Sequence, residues 1–204
     1  MRPSPTYGLV ARITGPLVRT LYRLRAEGIE NVPSEGGFVL AANHNSNFDP
    51  WPLGLPIFPD RYLRFMAKSE LYWPPLNRLL KAGGAFPVRR GEADAKAIET
   101  AVELAREGHV VVMFPERTRR KKGLRKKWRA KAHTGAARIA LEAGVPLVPA
   151  AIKGTDRLAR LAPLRVAYGK PISLDDLGDR PPAEAAREAT DRLMDEIARL
   201  EATL

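Results

Sequence analysis

Gly37-Phe38-Val39-Leu40-Ala41-Ala42-Asn43-His44-Asn45-Ser46-Asn47-Phe48-Asp49-Pro50 changes character at Asn43, from an unbroken apolar run to a polar stretch that closes on Asp-Pro. A short apolar run bounded by Gly36-Gly37 reads as a buried strand. Asp49 before Pro50 reads as an N-cap and a first helical position. On a regular helix His44 and Asp49, five residues apart, would diverge by about 140°. The pair therefore belongs to a strand-to-helix turn, where a curved backbone can return Asp49 to the imidazole. An aspartate bonded to one ring nitrogen fixes the tautomer and leaves the other nitrogen to take a proton from a hydroxyl. The competing reading is that Asp49 only caps a helix and His44 only caps a turn.

The same alternation extends along the chain. Strand-like runs at 37–42, 61–67, 84–88, 109–114, 146–152 and 163–168 are interleaved with helix-like segments at 92–107, 134–143 and 183–202. Such an order predicts an α/β fold: a single domain with a mixed central sheet flanked by helices. His44 and Phe114-Pro115-Glu116-Arg117-Thr118-Arg119 then fall just beyond strand C-termini, where open α/β sheets place their sites. With 204 residues, of which 45% are hydrophobic, the chain can bury a sizeable core, and no linker or repeat divides it.

Residues 1–27 read as a separate amphipathic segment ahead of the domain at 28–204. Leu9, Ile13, Leu17, Leu21 and Leu24 recur at helical spacing with Val10, Val18 and Tyr22 alongside, and Arg12, Arg19, Arg23 and Arg25 supply charge. This suits an interfacial helix on a membrane, kinked at Gly15-Pro16, and equally a helix packed on its own domain. No run of 18 apolar residues and no signal peptide is legible, so the chain is expected to lie on a membrane without crossing it, as a peripheral or monotopic protein at the cytoplasmic face of the cell membrane.

The net charge of +11 is concentrated. Residues 117–131 hold ten Lys or Arg and no acid, residues 1–26 hold five and no acid, and the remainder is net acidic. Local basicity of this kind points to an anionic surface and argues against a diffuse nucleic-acid binder. Arg120, Lys121, Lys122, Arg125, Lys126 and Lys127 are candidates to meet anionic lipid, the phosphates of CoA or an acyl carrier protein, and Trp128 can sit at headgroup level. The chain has no cysteine, which excludes disulfides and thiolate metal sites, and its three histidines, His44, His109 and His133, show no ligand spacing. No metal site and no cofactor are expected. His109 reads as a strand-edge residue and His133 as a helix-start residue.

His44 to Asp49, then Gly84-Ala85-Phe86-Pro87-Val88-Arg89-Arg90, then Phe114 to Arg119, then Val145-Pro146-Leu147-Val148-Pro149-Ala150, resemble in order and spacing the four motifs of the 1-acylglycerol-3-phosphate acyltransferase family. The resemblance runs from about Gly28, where Glu27-Gly28-Ile29-Glu30-Asn31-Val32-Pro33 also looks like the family, to about Ile172. It implies transfer of a fatty acyl chain from acyl-CoA or acyl carrier protein to the free hydroxyl of a lysophosphatidate, with His44 as general base and Asp49 as its orienting partner. It further implies that Arg90, Glu116, Thr118 and Arg119 hold the acceptor, guanidinium groups suiting phosphate through their planar fork of donors. No covalent intermediate is called for: none of Ser4, Ser34, Ser46, Ser69 or Ser173 lies in a Gly-x-Ser-x-Gly elbow. One departure is Arg117, where the family has glycine; the added bulk and charge point to another lysolipid or an amino- or glycolipid as the alternative acceptor. A non-enzymatic protein that binds anionic membranes or nucleic acid through residues 117–131 is the alternative from a different class.

Overall fold

The computed structural model describes residues 5–88, 94–116 and 132–204. Its centre is β2 (Phe38–Ala42), all five residues of which are buried. Parallel neighbours lie on both sides, β5 (Val110–Met113) and β6 (Leu147–Lys153). Burial on both faces explains why the strand is uniformly apolar where a half-exposed one would alternate. Gly37 opens it because the Ala105 carbonyl passes there, and a Cβ would come within 1.8 Å of that oxygen.

β1 (Arg25–Glu27), β3 (Leu63–Lys68), β4 (Ala85–Val88) and β7 (Arg165–Tyr168) complete a seven-stranded sheet in the order β1-β7-β6-β2-β5-β3-β4. Its strands pair in parallel except β6 with β7, so the sheet is mixed, as the alternation predicted. Six strands fall within two residues of their expected limits. β1 was not foreseen: it has three residues, two of them exposed, and carries no apolar signal. It also places Arg25–Glu27 in the sheet beside β7.

The strand period of two sorts the side chains onto two faces. Val39, Ala41, Val111 and Leu147 point to one face and pack with Ile139, Leu193 and Ile197. Those partners come from α5 (Gly135–Ala143) and α6 (Pro182–Thr203), and α4 (Asp94–Arg106) joins the same layer. Phe38, Leu40, Val112, Val148 and Ile152 point to the other face, onto Leu53 of α2 (Pro50–Gly54) and Tyr168, whose hydroxyl donates to the Leu53 carbonyl at 2.6 Å. Burial pushes that phenol well above its ordinary value. α3 (Leu76–Ala82), between β3 and β4, is a seven-residue helix that the sequence pattern did not reveal.

α1 (Pro5–Leu21) lies over α2. Tyr7, Ala11 and Leu55 form a small cluster with Trp51, Phe58 and Tyr62, and Gly15 sits against Leu55. The leucine stripe turns away: Leu9 is 59% exposed, Ile13 64%, Leu17 60% and Leu21 42%. The reading of a helix packed on its own domain holds for one face, and the apolar stripe faces outward. The helix runs on through Pro16. Among the described residues no helix is long and apolar enough to cross a membrane.

Candidate active site

The residue after β2 already fixes the turn. Asn43 is buried; its Nδ2 donates to the Ile152 carbonyl (2.9 Å) and to Glu201 Oε1 (3.0 Å), and the Ile152 N–H donates to its Oδ1 (2.8 Å). Asn45 Nδ2 donates to the same Ile152 carbonyl at 2.9 Å. The turn that follows β2 is thereby stapled to the end of β6.

Within that turn His44 and Asp49 meet, Nδ1 to Oδ2 at 2.7 Å, with the carboxylate wholly buried and the imidazole 16% exposed. Oδ2 also accepts from the backbone N–H groups of Asn45 (2.7 Å) and Ser46 (2.8 Å), and Oδ1 accepts from the Thr155 hydroxyl (2.5 Å). Four donors replace the water that a buried carboxylate has lost, which is the condition for burying charge at tolerable cost. Asp49 does stand at the N-cap position before Pro50, but its side chain bonds no amide of the helix. Both oxygens are engaged by the preceding turn and by Thr155, so the cap-only reading fails. Donation from Nδ1 to a carboxylate leaves Nε2 as the basic nitrogen of the ring.

The imidazole lies against the Phe114 ring, centroids 4.2 Å apart and planes 22° from parallel. Phe114 follows β5, so the contact joins the ends of two adjacent parallel strands. Beyond it the Pro115 carbonyl accepts from the His133 N–H at 3.0 Å, and Glu116 is buried. This end of the sheet therefore brings together His44, Asp49 and Phe114, with Glu116 two residues further on. Arg90, Arg117, Thr118, Arg119, Arg120, Lys121, Lys122, Arg125, Lys126, Lys127 and Trp128 lie outside the described residues.

His109 stands at the opposite end, just before β5. It is buried, and its Nδ1 lies 3.3 Å from the Tyr62 hydroxyl. Burial first, and then the Arg64 guanidinium, hold it below its ordinary value, with Glu107 opposing. Its separation from His44 fits a strand-edge residue.

Sequence reasoning missed Asn43, Asn45 and Thr155. The signal for Thr155 is faint: a Gly-Thr step at the end of β6, which only the strand order brings beside the His44 turn. Gly154 makes the step possible. Its φ is 97°, and a Cβ there would stand 2.3 Å from the Pro163 carbonyl oxygen, so the chain can turn Thr155 back toward Asp49 only with glycine at that position.

A family model described as Acyltransferase matches residues 23–153. The chain is 33% identical over 178 residues to the 1-acyl-sn-glycerol-3-phosphate acyltransferase of Bacillus subtilis (strain 168), covering 84% of this chain and 85% of that protein. It is 28% identical over 141 residues to the chloroplastic 1-acyl-sn-glycerol-3-phosphate acyltransferase BAT2 of Brassica napus, covering 67% of this chain but 39% of that longer relative. Among solved structures, the 1-acyl-sn-glycerophosphate (LPA) acyltransferase PlsC of Thermotoga maritima superposes with a TM-score of 0.67 at 26% identity, over 93% of this chain and 78% of that one.

Proposed function

The chain belongs to the acyltransferase family, and from that premise we propose that it transfers a fatty acyl group from a thioester donor, acyl-CoA or acyl carrier protein, to the free hydroxyl of 1-acylglycerol-3-phosphate, giving phosphatidate for phospholipid synthesis. The single observation that carries this reading is the His44 Nδ1 to Asp49 Oδ2 contact at 2.7 Å, seated on a carboxylate with three further donors. Family membership sets aside the non-enzymatic alternative.

The steps follow from the orientation of the ring. With Nδ1–H held by Asp49, Nε2 removes the proton of the acceptor hydroxyl as its oxygen attacks the thioester carbonyl. The C–O bond forms, the tetrahedral centre collapses, and the C–S bond breaks. The leaving thiol, with an ordinary pKa of roughly 8.5, departs readily as thiolate and recovers the proton from the imidazolium. Asp49 stabilises the positive ring between those two transfers. The chemistry calls for no cofactor beyond the donor. Arg90 and Arg119 are assigned to the acceptor's phosphate, Thr118 to binding the acceptor, and Glu116 to holding an arginine or the acceptor's hydroxyl.

A lipid acceptor must be met at a surface, and the outward stripe Leu9, Ile13, Leu17 and Leu21 supports contact with an anionic bilayer at the cytoplasmic face of the cell membrane. Arg120, Lys121, Lys122, Arg125, Lys126, Lys127 and Trp128 are assigned to anionic headgroups or to the donor's phosphates. The double variant Ile13→Glu/Leu17→Glu is expected to weaken co-sedimentation with anionic vesicles by roughly 10- to 100-fold while leaving the thermal melt unchanged, since neither side chain packs on the core. Unchanged sedimentation would exclude α1 as the membrane contact.

Arg117, in place of the family glycine, gives one specific reason to consider another acceptor. A competition assay settles it: one thioester, an equimolar mixture of lysophosphatidate, other lysophospholipids and amino- or glycolipids, and products separated by mass. Phosphatidate is expected to dominate; dominance of another product would keep the dyad chemistry and move the substrate.

A further inference from the structure

Resting on that reading of the site, we propose that Thr155 is a positioning residue for the His44–Asp49 pair. An ionised carboxylate only accepts hydrogen bonds. Among the described residues, three of the four donors on Asp49 fall on Oδ2: His44 Nδ1 and the amides of Asn45 and Ser46. Those three alone let the carboxylate pivot, because all act at one oxygen. Thr155 Oγ1, 2.5 Å from Oδ1, is the donor on the other oxygen and sets the plane of the group. With the plane set, a lone pair of Oδ2 is aimed at Nδ1 and the imidazole is held for work at Nε2.

Thr155 is well built for this. It is 3% exposed, so no water competes for the hydroxyl's bond, and β-branching restricts its χ1. Its backbone is fixed on one side by Gly154, which no other residue can replace without meeting the Pro163 carbonyl. Just before Gly154 the end of β6 is tied to the His44 turn through Ile152, which bonds Asn43 and Asn45. The same staples that fix the turn therefore also fix the distance from Thr155 to Asp49. This gives the Gly-Thr step after the fourth motif a role in the chemistry that the apolar residues of that motif do not have.

The test compares Thr155→Val, which keeps the shape and removes the donor, with Thr155→Ser, which keeps the donor. In thioester-consumption assays with lysophosphatidate on anionic vesicles, Val is expected to lower kcat about 10- to 100-fold with KM unchanged, because an orphaned buried oxygen and a loosened base affect only the proton transfer. Ser is expected to stay within about threefold of wild type. The His44 Nδ1 proton, followed by NMR in labelled protein, is expected to exchange with water faster in Val than in wild type or Ser. Wild-type kcat in Val, a change confined to KM, or equal damage in Ser and Val overturns the proposal. If Val does not fold, Thr155→Cys, which has the shape of Ser with a much weaker donor, is judged against Ser by the same criteria. The NMR comparison decides the matter even where wild type transfers no acyl group, an outcome that counts against the proposed reaction and not against the hydrogen bond.

Discussion

His44→Ala is expected to lower the rate of acyl transfer by about 10²- to 10⁴-fold, the contribution typical of a positioned general base. The acceptor hydroxyl is a poor nucleophile while it keeps its proton, and of the three imidazoles His44 is the one that Asp49 orients: His109 sits at the opposite end of β5, and His133 meets this end of the sheet through its backbone N–H. The loss should appear in kcat and in kcat/KM alike, with KM little changed, because the ring acts on the proton in flight and not on substrate affinity. Folding should survive: the imidazole is partly exposed and its removal strips only one of four donors from Asp49. Thioester consumption on lysophosphatidate vesicles measures the effect, and activity within tenfold of wild type would mean that another group takes the proton.

Asp49→Asn is expected to cost a similar factor, about 10²- to 10⁴-fold in kcat, for a different reason. The amide is nearly isosteric, and its oxygen can still accept from Asn45 and Ser46 if its nitrogen turns to Thr155, whose hydroxyl can accept as well as donate. The packing is thus kept while the charge is lost, and the imidazolium formed during proton transfer is left without its counter-charge. Asp49→Ala differs again. It orphans two part-buried amides and a buried hydroxyl at once, so a lower melting temperature should accompany the loss of activity. Equal melts for wild type and the alanine variant would show that the turn does not depend on the carboxylate. Wild-type kcat in the asparagine variant would show that the pair does not act as an oriented base.

Much of this arrangement is legible in the residues, because the strand–turn–helix around His44 is local. Phe38–Ala42 is too apolar for anything but a central strand, and Asp49-Pro50 marks the helix start. What the carboxylate of Asp49 bonds is not local. Thr155 stands 106 residues away, and only the order β6-β2-β5 brings it near. The outward stripe of α1 shows a second limit. Periodicity reveals that a helix has an apolar face, but not whether the face meets a core or a bilayer. Here Tyr7, Ala11 and Gly15 take the packing side, small residues letting α1 approach Leu55 closely, and the leucines are left outside. β1 and α3 were missed because elements of three and seven residues are held by neighbours more than by their own pattern.

The most direct test of the central claim is the stoichiometry of thiol released to phosphatidate formed, by mass spectrometry, when purified protein meets an acyl thioester and lysophosphatidate on anionic vesicles. One phosphatidate per thiol, with both signals falling together in His44→Ala, is the predicted result. Thiol release without phosphatidate, or product formation that persists at the wild-type rate without His44, would contradict it.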